Sequence, residues 1–221
     1  LLRLWRGNTF CGWNPHERRM AAGQIIIGAQ TLHAAGYAMA TTFAGGDEVA
    51  VACFGDGAIS QGDVNEAMVF AASFTAPMVF FCQNNQYAIS EPVRVQTKEP
   101  IALRPTGFGI PAMRVDGNDV LAMRAASAWA TEYARSGAGP AFIEAVTYRM
   151  GAHTTTDDPK RYRDSEELEY WRARDPLLRL ERHLEEIGAP IETVREEAKI
   201  RADGVAKELR AAITAMSPPP P

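Results

Sequence analysis

Asp56, set between Gly55 and Gly57, and the pair Asn84-Asn85 are the residues whose types and spacing most invite chemistry. A carboxylate and an amide oxygen are hard donors. They suit a small divalent cation such as magnesium, which takes oxygen ligands in octahedral geometry and leaves several positions to phosphate and water. A backbone carbonyl just beyond, at Tyr87, would make a third protein ligand. What lies between these residues gives the spacing its meaning. Glu48 to Phe54 is short, apolar and bounded by glycine, which predicts a buried strand, and Gly55-Asp56-Gly57 ends it in a turn where backbone can approach a ligand closely. Ala58 to Thr75 carries Val64, Ala67, Met68, Ala71 and Phe74 near helical spacing. Met78 to Cys82 then predicts a second buried strand running into Gln83-Asn84-Asn85. A right-handed strand-helix-strand crossover puts both strand ends on one edge of a parallel sheet, so Asp56 and Asn85 should converge there on a metal-diphosphate group.

The remaining chain supplies the scaffold for that edge. Gln24-Ile-Ile-Ile27 leads through Gly28 into a helix, Ala29 to Phe43, whose Ala34, Ala35, Gly36, Ala38 and Ala40 allow close backbone approach. Tight internal packing and a subunit contact both fit such a surface. Ile101 to Pro111 is rich in proline and glycine and reads as loop. Ala112 to Val115 predicts a third strand ending at the turn Asp116 to Asp119, with Asp119 placed to cap a helix from Val120 to Arg135. A fourth strand, Ala141 to Thr147, delivers Tyr148-Arg149 to the same edge. Strands alternating with helices predict an α/β fold with a doubly wound parallel sheet, whose ligands bind beyond the carboxyl ends of its strands. The polar loop Gly151 to Arg163 follows, with His153 a few residues past the fourth strand; loops in that position commonly carry function. Ser165 to Ile187 is amphipathic, Ile191 to Met216 is a second charged helix mildly broken at Gly204, and Pro218 to Pro221 is a frayed end.

Composition narrows the class without naming a reaction. The 221 residues suffice for one sizeable core. A formal net charge of -4, with no basic cluster, argues against nucleic acid as a partner. Cys11, Cys53 and Cys82 are the cysteines, and the last two fall inside predicted buried strands, so they read as small core hydrophobes and not as disulfides or metal ligands. No run approaches the ~20 apolar residues a membrane helix needs. Basic residues are overwhelmingly arginine and alanine is abundant, as in a GC-rich bacterial genome.

Four segments in register carry a family resemblance. Gly55 to Ala67 (Gly-Asp-Gly-Ala-Ile-Ser-Gln-Gly-Asp-Val-Asn-Glu-Ala), Asn84 to Ser90, Val115 to Asp119 and Tyr148 to Pro159 occur in the order seen in the alpha subunits of 2-oxoacid dehydrogenases, which use thiamine diphosphate. The similarity runs over nearly the whole chain and is nearest the branched-chain branch. It implies a single thiamine-diphosphate-binding domain over residues 1–221, with a C-terminal helical extension at 165–217. The chain opens as if inside a helix and lacks the Tyr-Arg pair that helps hold the diphosphate in the family, so it reads as a fragment without its N-terminal segment.

The resemblance also distributes roles. Asp56, Asn85 and the Tyr87 carbonyl would hold Mg2+; Gly55, Gly57, Ala58, Ala88 and Arg149 would line the cofactor, and backbone around Ile27 would lie against its aminopyrimidine. His153 would contact the cofactor and serve acyl transfer to a lipoyl group. Thr154 stands where mammalian relatives carry a phosphorylated serine, Gln83 where they carry arginine, and Ala152 where glycine or histidine is frequent. No glutamate here matches the one that protonates the aminopyrimidine; in the family it belongs to a beta subunit. The expected partners are therefore that beta subunit, as two alpha and two beta chains, the lipoyl domain and core of a dihydrolipoyl acyltransferase, and a 2-oxoacid. Pyruvate or acetoin dehydrogenase alpha subunits remain alternatives for substrate, and a scaffold subunit with a degraded site is the non-enzyme alternative. A dinucleotide-binding dehydrogenase is disfavoured because no Gly-x-Gly-x-x-Gly turn follows a strand.

Overall fold

Four short strands form the main sheet: β1 (Ala50–Gly55), β2 (Met78–Asn84), β3 (Ala112–Asp116) and β4 (Ala141–Val146). The structure, a computed structural model, describes residues 7, 12–23 and 25–217. The strands are all parallel and lie in the order β1-β2-β4-β3. Register aligns Gly55 with Gln83 and Asn84 with Val146, so the turns after β1, β2 and β4 emerge side by side.

Two helices cover one face. They are α1 (Ala29–Ala44), closed by Gly45 in the left-handed region at φ 69°, and α2 (Gly62–Ser73). Alternate residues of β2 point into them: Met78, Phe80 and Cys82 join Ala35, Ala38, Val64, Ala67 and Met68 in one apolar cluster. Val79 and Phe81 point the other way, into a second cluster with Ile143 and the helix α3 (Val120–Tyr133). Helices on both faces make the sheet doubly wound, as the alternation of elements requires. Asp119 caps α3, its Oδ1 accepting from the backbone N–H of Leu121 and Ala122, both at 3.0 Å.

Several expectations are corrected. Among the described residues β1 is an edge strand with one face covered. Ala52 and Phe54 are buried while Val51 and Cys53 are exposed, so Cys53 is not a core residue; Cys82 is, and Cys11 lies outside the described residues. The helix expected from Ala58 begins as a 3-10 turn, Asp56–Ser60, and becomes α-helical only at Gly62. The Ile101 to Pro111 stretch holds two 3-10 helices, Ile101–Leu103 and Pro105–Phe108, and it buries Ile101 and Ile110 in the core. The tail forms α4 (Ser165–Arg172), α5 (Pro176–Glu186) and α6 (Ile191–Thr214). α6 runs unbroken through Gly204, since one glycine costs a helix only ~1 kcal/mol. Gln24, Pro218 and the residues after it lie outside the described residues.

The chain divides into two compact units. One comprises residues 26–180 and contains the whole sheet. The other joins residues 1–25 with 181–221, where Arg195 pairs with Glu181 at 2.9 Å and with Glu192 at 2.6 Å.

Candidate functional site

Asp56 leaves β1 and turns inward, 1% exposed. Its Oδ1 accepts the backbone N–H of Asn85 at 3.2 Å, which joins the ends of β1 and β2 as the crossover requires. Its Oδ2 accepts Gln96 Nε2 at 3.0 Å. Burial pushes the Asp56 carboxyl up; the hydrogen bonds from Gln96, its own backbone and Asn85, and lastly the Arg149 charge, pull it back only in part. A buried carboxylate so placed is stabilised by a cation at its free lone pairs.

The chain beyond β2 is held in shape by its own side-chain oxygens. Asn84 Oδ1 accepts the N–H of Gln86 at 3.1 Å and Asn85 Oδ1 accepts the N–H of Tyr87 at 3.2 Å, two consecutive Asx turns. They force Gln86 to φ 77° and, two residues after Tyr87, the backbone reverses again at Ile89 with φ 56°. The Tyr87 carbonyl accepts Arg149 Nη1 at 3.0 Å, and the Ile89 carbonyl accepts Arg149 Nη2 at 2.6 Å. Arg149 itself is held at the strand edge by its N–H on the Asn85 carbonyl at 3.2 Å, and its Nε is buried without a partner among the described residues.

Gly57 is required by close approach. A Cβ there would lie 2.8 Å from Cβ of Ala88, so any side chain would push the 87–88 backbone away from Asp56. Ala58 is buried beneath the turn, while Gly55 is exposed in extended conformation at φ -86°. Ile27 sits before α1, 62% exposed, and Gln30 in the first turn of α1 donates to the Cys53 carbonyl at 3.0 Å, which brings this segment beside the end of β1.

His153 is exposed on the loop after β4. Among the described residues no hydrogen bond joins it to Arg149; the two are linked through other residues. The His153 N–H donates to Asp157 Oδ2 at 2.7 Å, Tyr162 Oη donates to the same oxygen at 2.6 Å, and Arg149 Nη2 donates to Tyr162 Oη at 2.9 Å. Arg163 adds a second fastening, donating to the carbonyls of Arg149, Met150 and Gly151. Gln96, Tyr162 and Glu167, which accepts Tyr87 Oη at 2.7 Å, are site residues that no motif marked, and Asp157 lies in a motif without having been assigned a role. Asp116 is a turn residue, as read, and it also pairs with Arg179 at 2.6 Å.

The donor set can be tested against a metal-diphosphate. Asp56, the Asn85 amide and the Tyr87 carbonyl are all oxygen donors, each oriented by a protein hydrogen bond that leaves a lone pair free. No cluster of three or more His, Cys, Asp or Glu side chains that could hold a metal ion occurs among the described residues, so any metal here would rest on one carboxylate, neutral oxygens and the ligand's own phosphate. A single carboxylate with neutral oxygens fits a hard cation whose charge is shared with phosphate.

With that geometry in place, comparison with known proteins is decisive. A model of the family described as "Dehydrogenase E1 component" matches residues 8–218. The chain belongs to the dehydrogenase E1 component family. Among the relatives of this E1 chain is the 3-methyl-2-oxobutanoate dehydrogenase subunit alpha of Mycobacterium tuberculosis (strain H37Rv), 50% identical over 210 residues, which cover 95% of this chain and 57% of that protein. The pyruvate dehydrogenase E1 component subunit alpha of Acholeplasma laidlawii is 46% identical over 182 residues, 81% of this chain and 53% of the relative. That of Staphylococcus aureus (strain COL) is 43% identical over 211 residues, 95% of this chain and 55% of the relative. The E1 chain thus spans little more than half the length of the relatives it matches.

Proposed function

We propose that this chain is the alpha subunit of a 2-oxoacid dehydrogenase that decarboxylates a branched-chain 2-oxoacid with thiamine diphosphate and Mg2+ and passes the acyl group to a lipoyl group. The observation that carries the proposal is the buried Asp56 carboxylate, tied to Asn85 at adjacent strand ends and closed over by the Gly57–Ala88 contact. Asp56, Asn85 and the Tyr87 carbonyl would hold the metal, and Arg149, with its unpartnered Nε, would face the diphosphate. When bound, thiamine diphosphate supplies the electron sink that decarboxylation requires and no side chain can offer.

The chain's own work is to anchor, orient and move protons. Gln96, Asn85 N–H and Arg149 fix the ligand oxygens before any metal arrives, so little reorganisation accompanies binding. His153, exposed on a loop tied back to Arg149, would donate a proton during transfer to the dihydrolipoyl sulfur. We read residues 1–221 as one thiamine-diphosphate-binding domain with its helical extension. The glutamate that the cofactor's ring needs would come from a beta subunit, in an assembly of two alpha and two beta chains that docks on a dihydrolipoyl acyltransferase core. Bacterial relatives support a bacterial cytoplasmic setting. No helix among the described residues is long and apolar enough to cross a membrane.

The substrate reading favours the branched-chain acid because the relative with that name shares 50% identity, against 43 to 46% for the pyruvate enzymes. Two measurements on the assembled complex test the proposal. Calorimetric titration with thiamine diphosphate and Mg2+ should show metal-dependent binding that Asp56→Ala abolishes; equal affinity in the variant defeats the site assignment. Turnover of 3-methyl-2-oxobutanoate should exceed that of pyruvate; the reverse order moves the chain to the pyruvate branch while leaving the site intact.

A further inference from the structure

Glu144 is a carboxylate in the middle of β4, between Ile143 and Ala145, and it is 1% exposed. Register explains where it points. Glu144 pairs with Cys82 on β2 and with Arg114 on β3, so its side chain shares a face with Asn84, two residues beyond Cys82. A buried carboxylate must be matched by donors, and three are present. Oε1 accepts Asn84 Nδ2 at 2.8 Å and pairs with Arg114 Nε at 3.5 Å, while Oε2 accepts the backbone N–H of Ala102 at 2.9 Å.

The contact with Asn84 reaches beyond packing. A carboxylate accepts and does not donate, so it fixes which end of the Asn84 amide faces inward. Nδ2 turns toward Glu144, and Oδ1 is left to accept the N–H of Gln86 at 3.1 Å and Gln86 Nε2 at 3.2 Å. That Asx turn holds Gln86 at φ 77°, a conformation that costs a non-glycine residue ~1–2 kcal/mol and needs support from its surroundings. The turn leads directly into Asn85, whose N–H donates to Asp56 Oδ1 and whose Oδ1 accepts the N–H of Tyr87. With the amide reversed, its NH2 would face the Gln86 N–H, two donors opposed, and the turn would lose its anchor.

We propose that Glu144 is a positioning residue for the metal site, acting through the amide orientation of Asn84 to set the turn that carries Asn85 and Tyr87. This rests on the reading of Asp56, Asn85 and Tyr87 as metal ligands. Glu144 touches neither metal nor cofactor, and its substitution should weaken the site without removing a ligand. Loss of an orienting partner of this kind typically costs ~10- to 100-fold in metal affinity.

The test is metal titration of the assembled complex in the presence of thiamine diphosphate, with Mn2+ as the paramagnetic probe, alongside thermal melting of the metal-free protein. Wild type and Asp56→Ala report on the underlying reading: if wild type binds no metal, or Asp56→Ala binds as tightly, the ligand assignment fails and this proposal falls with it. Given a sound site, Glu144→Gln places an NH2 among three donors and should raise the metal Kd ~10- to 100-fold. Glu144→Asp keeps the charge with a shorter reach and should show a smaller rise; it decides the matter if Glu144→Gln does not fold. The double variant Glu144→Gln/Asn84→Ala should bind metal no worse than the weaker single variant, because both break one link. A lower melting temperature with unchanged metal affinity in Glu144→Asp and Glu144→Gln, or fully additive losses in the double variant, overturns the proposal and leaves Glu144 a residue of the core alone.

Discussion

Two regions meet at Arg149 and are built on opposite principles. The corner around Asp56 is buried, its oxygens each held by a donor from a different element, and its backbone pinned between β1, β2 and β4. The loop from Gly151 to Arg163 is exposed along most of its length and is fastened by two side chains, Tyr162 and Arg163. The proposed function would ask fixed oxygens of the corner, as an anchor for metal and phosphate, and access of the loop, where a lipoyl arm would arrive. The difference teaches that binding and transfer would be separable on that reading, because His153, whose N–H bonds Asp157 and not the corner, can change without removing a bond to Arg149 or Asp56.

The largest expected effect breaks the corner. Asp56→Ala removes the carboxylate of the ligand set and should abolish both carbon dioxide release into an artificial electron acceptor and acylation of a lipoyl domain. Retention of either activity contradicts the assignment. Next in size, His153→Ala should lower lipoyl acylation by ~10²–10⁴-fold, the usual worth of a positioned general acid, and leave decarboxylation nearly unchanged. Equal losses in the two assays would make His153 a cofactor-positioning residue and erase the contrast between the regions.

Much of this was legible in the sequence, and the part that was not has a physical reason. The strand ends at Gly55 and Asn84 and the cap at Asp119 follow from local patterns, which is why they were placed within a residue or two. Gln96, Tyr162 and Glu167 reach the site from 40, 13 and 80 residues away from the atoms they hold. No periodicity encodes such contacts. Glu144 is different: a carboxylate inside the run Ala141-Phe-Ile-Glu-Ala-Val146 is a visible breach of an apolar strand, and it signals buried donors nearby. Cys53 reads as a core residue because an apolar strand looks the same in sequence whether one face or both are covered.

A smaller effect should sharpen the comparison through pH. Hydrogen bonds from Tyr162 and from the His153 N–H hold the Asp157 carboxyl below its usual value. Its contribution to loop order is therefore fully present above the ordinary aspartate value of about 3.9 and is lost as pH falls through the lower folded value. Pepsin cleavage within residues 151–163 should accelerate below about pH 4, and Asp157→Asn should remove that dependence. Cleavage that rises equally in the variant would show that the loop is not latched by this carboxylate.

Ile89 carries a consequence for anyone who wishes to make the protein more robust. A β-branched residue in the left-handed region at φ 56° stores ~1–3 kcal/mol of local strain. Its side chain is half exposed, and Arg149 uses only its carbonyl. Asparagine tolerates that backbone and leaves the carbonyl in place, so Ile89→Asn should return about 1 kcal/mol of stability, seen as a higher melting temperature at unchanged cofactor affinity. This bend of the corner is thus a reserve of stability that the present sequence leaves unused.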